Sequence, residues 1–320
     1  MTTRIIGTGC YAPEHIVTNE DLTQFLDTSD EWIRERTGIH RRHIDTGEGT
    51  TAMAVKAAQR AIENANISPQ SIDLIIVATS TADEIFPNTA AMVQKSIGNN
   101  HCTCYDLNAA CSGFIYGLNT AHAFIKSGIV ETALIVGSET MSKTVNWEDR
   151  STCILFGDGA GAAVVTKDET GIESVVMGSD GSNGEIISCD GRIMENRWGK
   201  RPVKNSHMIM DGQEVFKFAV RKVPEAIKEL LEQANINADQ IDHYLLHQAN
   251  ERILSSVAKR LHVSMERFPV NLSEYGNTSA ASIPILLDEM NRKNILRRGE
   301  KMVLAGFGAG LTWGATLLTW

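Results

Sequence analysis

The segment Asp106-Leu-Asn-Ala-Ala-Cys111-Ser-Gly-Phe-Ile-Tyr-Gly117 places a cysteine between a short strand-like run and an apolar helical run. A thiol at a helix N-terminus meets unpaired amide N–H groups and the positive end of the helix dipole, and both lower its pKa. Ser112 and Gly113 are small and leave room for a reacting group. The pattern fits a nucleophile in acyl transfer. Its competitor is a cysteine packed as a small hydrophobe. His247 follows the apolar run Tyr244-Leu-Leu. That is the C-terminal edge of a strand, where parallel sheets assemble their sites; a histidine satisfied by local hydrogen bonds is the plainer reading. Asn277, in Glu274-Tyr-Gly-Asn-Thr-Ser-Ala-Ala-Ser282, stands where a loop enters a helix. An N-cap would also put an asparagine there. Other patterns carry less. His101-Cys-Thr-Cys104 lacks a second ligand pair at zinc spacing and reads as the start of a strand. Gly157-x-Gly159-x-Gly161 is followed by a strand, not the helix a dinucleotide fingerprint requires.

The elements that must position these residues come from an internal repeat. Ile62-Glu-Asn-Ala-Asn-Ile-Ser-Pro-Gln-Ser-Ile-Asp-Leu-Ile-Ile-Val77 aligns with Leu231-Glu-Gln-Ala-Asn-Ile-Asn-Ala-Asp-Gln-Ile-Asp-His-Tyr-Leu-Leu246 at an offset of 169 residues. Each copy reads as the end of an amphipathic helix, a turn and a buried strand. Phe156-Gly-Asp-Gly-Ala-Gly161 and Gly306-Phe-Gly-Ala-Gly310 form a second echo. Periodicity predicts strands over residues 4–9, 74–79, 103–106, 132–138, 160–166, 244–246, 301–305 and 311–318. It predicts helices over 51–64, 88–97, 112–127, 215–234, 250–261 and 280–291. Alternating helix and strand imply parallel strands under helical layers. Two copies of one α/β half follow, residues 1–170 and 171–320, with residues 178–205 as a long surface loop. The Asn277 segment falls in the second copy roughly where Cys111 falls in the first, so the duplication would bring Cys111, His247 and Asn277 to one interface.

Composition bounds the rest. The chain has 320 residues, 42% hydrophobic and 22% charged, with a net charge of −9. That is globular composition, enough for a large core. Such an acidic chain is a poor nonspecific partner for nucleic acid or anionic membrane. The six cysteines do not form a disulfide scaffold in a chain this long. No apolar run is long enough to span a membrane, and the N-terminus does not read as a signal peptide. A cytoplasmic protein with free thiols is expected.

Taken together, Cys111 in Ala-Ala-Cys-Ser-Gly-Phe, His247 in His-Gln-Ala-Asn and Asn277 in Gly-Asn-Thr-Ser-Ala-Ala-Ser resemble the catalytic triad of the β-ketoacyl-[acyl-carrier-protein] synthase III family. The resemblance runs nearly end to end and includes Asp27-Thr-Ser-Asp-Glu-Trp-Ile33, Arg36-Thr-Gly-Ile39, Asp149-Arg-Ser151 and Gly306-Phe-Gly-Ala-Gly-Leu-Thr-Trp-Gly314. It implies a thiolase-like fold, duplicated α/β halves in five αβαβα layers. It implies decarboxylative condensation of an acyl-CoA primer with malonyl-acyl carrier protein, initiating fatty-acid synthesis, with no cofactor or metal. By resemblance Cys111 takes the acyl group, and the backbone amides of Cys111 and Ala309, in the Gly308–Ala309 turn, hold the oxyanion. His247 and Asn277 stabilise the enolate left when CO2 departs. Trp32, Arg36, Arg150 and Asn250 would bind CoA. Phe86 would cross a homodimer interface to the partner's acyl pocket. Lys217, Gln248, Arg252, Lys259 and Arg260 would dock the acidic carrier protein on basic helix faces; a solvated charged face is the alternative.

In place of the family's usual three glycines after Phe307 stand Gly308-Ala309-Gly310, so a methyl group enters the turn. Residues 182–204 match no family segment. Within the fold, a hydroxymethylglutaryl-CoA synthase would have a glutamate where Ser80 follows Val77-Ala-Thr79. A chalcone-type synthase would be longer, and a non-decarboxylating relative would often lack Asn277. A catalytically silent carrier-protein binder would not need Cys111, His247 and Asn277 together.

Overall fold

The computed structural model of the chain describes residues 1–191, 195–202 and 204–320. Two sheets organise it. In the first, Thr2–Tyr11, Asp158–Asp168, Thr132–Thr140, Leu74–Ala78 and Thr103–Leu107 lie side by side in that order. In the second the order is His243–Leu246, Lys301–Gly308, Thr312–Thr319, Ile172–Ser179. Leu74–Ala78 runs parallel to both its neighbours, and His243–Leu246 runs parallel to Lys301–Gly308; the other pairings are antiparallel. The expected parallel strands are therefore present, but only as part of each sheet. Helical crossovers produce the parallel pairs, while tight returns such as the one between Gly308 and Thr312 can only make antiparallel ones.

The layers follow from which faces are apolar. Every residue of Thr132–Thr140 is buried, as a strand covered on both faces must be. The helices Gly49–Ala65 and Thr89–Ser96 cover the outer face of the first sheet. Gly113–Lys126 and Ser282–Arg292 lie between the sheets, where Ile76, Leu118, Leu245 and Leu286 join one core. Gly212–Ala234 and Glu251–Leu261 cover the second sheet, over Val223, Ile227, Tyr244 and Val303. Each fully buried side chain of this size contributes ~1.5–3 kcal/mol. The result is five layers, αβαβα.

The repeat is visible in the backbone. Gly49–Ala65 and Gly212–Ala234 both end on a left-handed asparagine, Asn66 (φ 53°) and Asn235 (φ 56°). Each is followed by a one-turn helix, Pro69–Ser71 or Ala238–Gln240, and then a buried strand. Asparagine tolerates this conformation, which explains its recurrence at 169 residues.

Among the elements beyond the expectation, two are long. Ile172–Ser179 is a full edge strand of the second sheet, and its Ile-Glu-Ser-Val-Val-Met sequence has no clean alternation. Asp30–Thr37 is a helix, bounded by an N-cap Ser29 that accepts the Trp32 N–H and a left-handed Gly38 (φ 83°). Those two boundary signals are legible in the sequence. The expected 178–205 loop carries a 3₁₀ segment, Gly181–Ile186, and two short hairpin pairings, Ile187–Ser188 with Ile209–Met210 and Glu195–Asn196 with Gly199–Lys200. Residues 192–194 and 203 of that segment lie outside the described residues.

Candidate active site

Cys111 stands in a one-turn helix, Ala110–Ser112, that leads into Gly113–Lys126 between the sheets. Ala110 holds a left-handed backbone (φ 45°), and its N–H is accepted by the Asn108 side chain at 3.3 Å. The second half repeats the device. Ser279 is left-handed (φ 49°), and its N–H donates to Asn277 Oδ1 at 2.8 Å. The 169-residue offset thus carries Asn108 onto Asn277, Ala110 onto Ser279 and Cys111 onto Ala280. Asn277 is the counterpart of Asn108, three residues before the cysteine.

The same cavity, about 770 Å³, is lined by Cys111, His247 and Asn277, together with Phe307, Gly308 and Ala309. That size suits a small-molecule site. His247 is buried at the end of its strand, its backbone N–H held by the Ala305 carbonyl at 2.8 Å and its ring edge-on to Phe307. Burial lowers its pKa to about 3, so the ring is neutral. Nδ1 lies 2.7 Å from Ser282 Oγ, which also accepts the Gln248 N–H at 3.4 Å. With the Ser282 hydroxyl donating to Nδ1, the ring hydrogen sits on Nε2, which then serves as a donor. Asn277 is also turned into a donor: its Oδ1 is taken by Ser279, so its NH2 is what remains to offer.

The Phe307–Gly310 turn lines the cavity beside the thiol. A Cβ on Gly308 would stand 2.8 Å from Cys111 Cβ and 3.0 Å from its backbone nitrogen, so only glycine fits. The extra methyl of this chain sits one residue later, at Ala309, whose φ is not left-handed. Thr312 Oγ1 ties the turn down, 2.9 Å from the Ala309 carbonyl, 3.2 Å from the Ala109 carbonyl and 3.1 Å from Ser112 Oγ.

One electrostatic expectation is reversed. The Cys111 thiol is pushed up to about 12, first by burial and then by the Glu139 carboxyl, while a hydrogen bond from Ser279 works the other way. Recessed in the cavity, the sulfur loses hydration, and that outweighs the helix N-terminus. Glu139 and Ser279, with Ser282, are the polar groups around the triad that sequence reading overlooked. A glutamate at the end of the apolar Val136-Gly-Ser-Glu139 run was the available signal.

The outer groups divide. Arg36 and Arg150 lie against the Trp32 indole, 4.4 and 5.1 Å from its ring centre. Asn250 caps Glu251–Leu261, donates to the Arg36 carbonyl at 2.9 Å and also lines the cavity, so it joins the Trp32 cluster to the cavity mouth. Phe86 is 82% exposed and outside every core cluster, which removes core packing as its role. Arg252, Lys259 and Arg260 are exposed on Glu251–Leu261, and Lys217 is exposed beside Glu214. Lys259 and Arg260 share a surface hollow with Arg221, Lys228 and Glu225. Gln248 does not join them. It is 1% exposed, donates to the Leu246 carbonyl at 2.9 Å and accepts the Asn271 N–H at 3.2 Å, so it is a structural brace rather than a docking residue. His101-Cys-Thr-Cys104 leads into the Thr103–Leu107 strand, and among the described residues no cluster of His, Cys, Asp and Glu could hold a metal. Nor is any helix among them long and apolar enough to cross a membrane.

Comparison with known proteins gives a consistent pattern. Residues 105–181 match the family model of 3-oxoacyl-[acyl-carrier-protein] synthase III, and residues 231–320 match the model of its C-terminal region. The chain is 50% identical over 318 residues to the β-ketoacyl-[acyl-carrier-protein] synthase III of Clostridium acetobutylicum, covering 99% of this chain and 98% of that one. The crystal structure of the 3-oxoacyl-[acyl-carrier-protein] synthase III of Aquifex aeolicus superposes with a TM-score of 0.94 at 45% identity, over 99% of this chain and 100% of that one. The priming β-ketosynthase of the R1128 polyketide pathway superposes with a TM-score of 0.92 at 34% identity, over 99% and 96%.

Proposed function

The chain belongs to the β-ketoacyl-[acyl-carrier-protein] synthase III family, and from that premise we propose how its own residues share the work. The reaction is the decarboxylative condensation of an acyl-CoA primer with malonyl-acyl carrier protein, releasing CoA and CO2, at the start of fatty-acid synthesis. Cys111 attacks the primer thioester and holds the acyl group. The backbone amides of Cys111 and Ala309 stabilise the oxyanion in both acyl transfers. The malonyl carbonyl then sits against His247 Nε2–H and the Asn277 NH2. As CO2 leaves, negative charge grows on that carbonyl oxygen, and two neutral donors stabilise it without giving up a proton. The enolate carbon attacks the acyl-Cys111 carbonyl, and the sulfur departs.

The observation that supports this reading is the cavity lined by a thiol, a neutral imidazole and an amide whose oxygen already accepts a backbone N–H. Trp32 with Arg36 and Arg150 would receive the adenine and phosphates of CoA, near the mouth marked by Asn250. Arg252, Lys259, Arg260 and Lys217 would attract an acidic carrier protein. We take residues 1–170 and 171–320 as the two halves, the enzyme as a homodimer joined near Phe86, and the cytoplasm as its place. No cofactor enters these steps; the CoA thioester is a substrate. Mass spectrometry of the Cys111 peptide after incubation with acyl-CoA tests the assignment. An acyl mass that disappears in Cys111→Ser is expected, and labelling that survives the substitution would overturn it.

A further inference from the structure

Arg42 takes no part in the steps above, yet it is a fully buried cation beside the segment that carries Asn277. It is 0% exposed, and among the described residues no carboxylate forms an ion pair with it. Burial lowers its pKa to about 10, so it stays charged at neutral pH. A buried charge without a counter-ion is costly and survives only where its donors are well used. Nη1 donates to the Asn19 side chain at 2.9 Å and to the Val17 carbonyl at 3.2 Å. Asn19 is itself held, donating to Asp30 Oδ1 at 2.9 Å and to the Ile39 carbonyl at 2.8 Å. Nη2 donates to the Ile154 carbonyl at 2.7 Å, the shortest of the guanidinium bonds, and among the described residues Nε has no partner. Asn277 depends on the residues that follow Ile154. Its N–H donates to the Leu155 carbonyl at 2.8 Å, and the Gly157 N–H donates to the Asn277 carbonyl at 3.1 Å. These bonds make an isolated parallel bridge between Phe156 and Asn277. The short strand Arg41–His43 grips both segments that meet there. Its alternation sends Arg41 and His43 to Glu274, at 2.7 and 3.2 Å, and Arg42 to Ile154. A Cβ on Gly157 or Gly276 would stand 3.1 or 3.5 Å from the Arg42 Cβ, so the side chain also lies against the backbone of both segments.

We propose that Arg42 is a positioning residue for decarboxylation: its grip on the Ile154 carbonyl fixes the bridge on which Asn277 is held. The Asn277 NH2 has to meet the malonyl carbonyl oxygen as charge grows on it, and a small displacement of such a donor is costly to the rate. Arginine suits the task because one planar group holds acceptors from separate segments at fixed angles, which the point charge of a lysine does not. The other two members of the triad are placed by other elements. Cys111 stands on Ala110–Ser112, and His247 is held by the Ala305 carbonyl and Ser282. Arg42 donates to none of these. Loss of its guanidinium therefore acts on CO2 release and spares acyl loading. This rests on Asn277 serving as a donor in decarboxylation.

The test takes two readouts on the same samples: acyl mass gained by Cys111 from acetyl-CoA in a single turnover, and CO2 released from malonyl-acyl carrier protein. Arg42→Met keeps much of the side chain's length without its charge. It should load within about twofold of the wild-type rate and release CO2 roughly 10- to 100-fold more slowly. Arg42→Lys keeps one donor group and should recover part of that loss. In an Asn277→Ala background, Arg42→Met should change CO2 release by no more than about twofold, because the donor it positions is already gone. If Arg42→Met folds poorly, Arg42→Lys carries the same comparison. Unchanged CO2 release, equal slowing of loading and CO2 release in a folded Arg42 variant, or a full Arg42 effect that persists without Asn277 would overturn the proposal and leave Arg42 as bracing for the fold. Normal CO2 release by Asn277→Ala alone would instead overturn the reading beneath it.

Discussion

At equivalent places in the two halves, 169 residues apart, stand Ala78 and His247, Gly113 and Ser282, Cys111 and Ala280, Glu139 and Gly308. The contacts correspond as well as the positions. A Cβ on Gly113 would press on the Ala78 methyl at 2.9 Å, whereas their counterparts Ser282 and His247 form a hydrogen bond at 2.7 Å. Gly306 approaches Cys111 across the interface, and its counterpart Gly137 approaches Ala280. One backbone scaffold is used twice, and each chemical role appears in only one copy. The first half carries the nucleophile and the buried acid. The second carries the histidine, the cavity-lining amide and the glycine corner beside the thiol.

The division can be broken most severely at the glycines. A methyl on Gly137 would fall 2.2 Å from the Ala280 carbonyl oxygen, a backbone atom with nowhere to go. Gly137→Ala should cost about 3 kcal/mol or more and yield little folded protein, measured by chemical denaturation. Gly308→Ala instead meets Cys111 at 2.8 Å, inside the reaction space. Its acylation rate should fall ~100-fold with smaller loss of stability, since misplacement of a reacting atom by a fraction of an ångström to 1 Å has that scale of effect. If both variants fail in the same way, the two corners are not functionally distinct.

A smaller effect sharpens the contrast between the two buried titrating groups. The carboxyl of Glu139 is raised from 4.5 to about 7, so the folded state holds its proton more tightly than the unfolded one. That contribution to stability is full below 4.5 and lost as pH rises through 7. Glu139→Gln lacks it, so the variant should gain a few degrees of melting temperature relative to wild type between pH 5 and 8, on the order of 2 kcal/mol or less. His247, depressed from 6.5 to about 3, acts in the opposite sense, losing stability as pH falls, and cancels in the difference. Equal pH dependence in the two proteins would mean that Glu139 is not held protonated by burial.

Local patterns were legible where one segment decides the structure. The repeated Glu-x-Ala-Asn-Ile helix ends, the buried strands and the Cys111 helix start all follow from periodicity and turn chemistry within a few residues. Three residues of the site could be singled out because each stands at a strand or helix end. What could not be read depends on distant segments meeting. Ser282 orients His247 from the next helix, Glu139 reaches the Ser80 N–H from the neighbouring strand, and Ser279 links two halves. No sequence spacing encodes those contacts. The thiol illustrates the same limit: its helix position argued for a lowered pKa, but the cavity in which it is recessed is lined by the Phe307–Gly310 turn almost 200 residues away. Gln248 likewise lies just before the Glu251–Leu261 helix in sequence, yet it is buried rather than on that helix's exposed face.

The central claim is that the halves perform separable steps, loading by Cys111 and decarboxylation by His247 with Asn277. Acyl mass on Cys111 and CO2 release from malonyl-acyl carrier protein, measured on the same protein samples, test it directly. His247→Ala and Asn277→Ala should load acyl groups to the wild-type extent and release CO2 at least ~100-fold more slowly. Variants that decarboxylate normally, or that lose loading and decarboxylation together, would contradict the account.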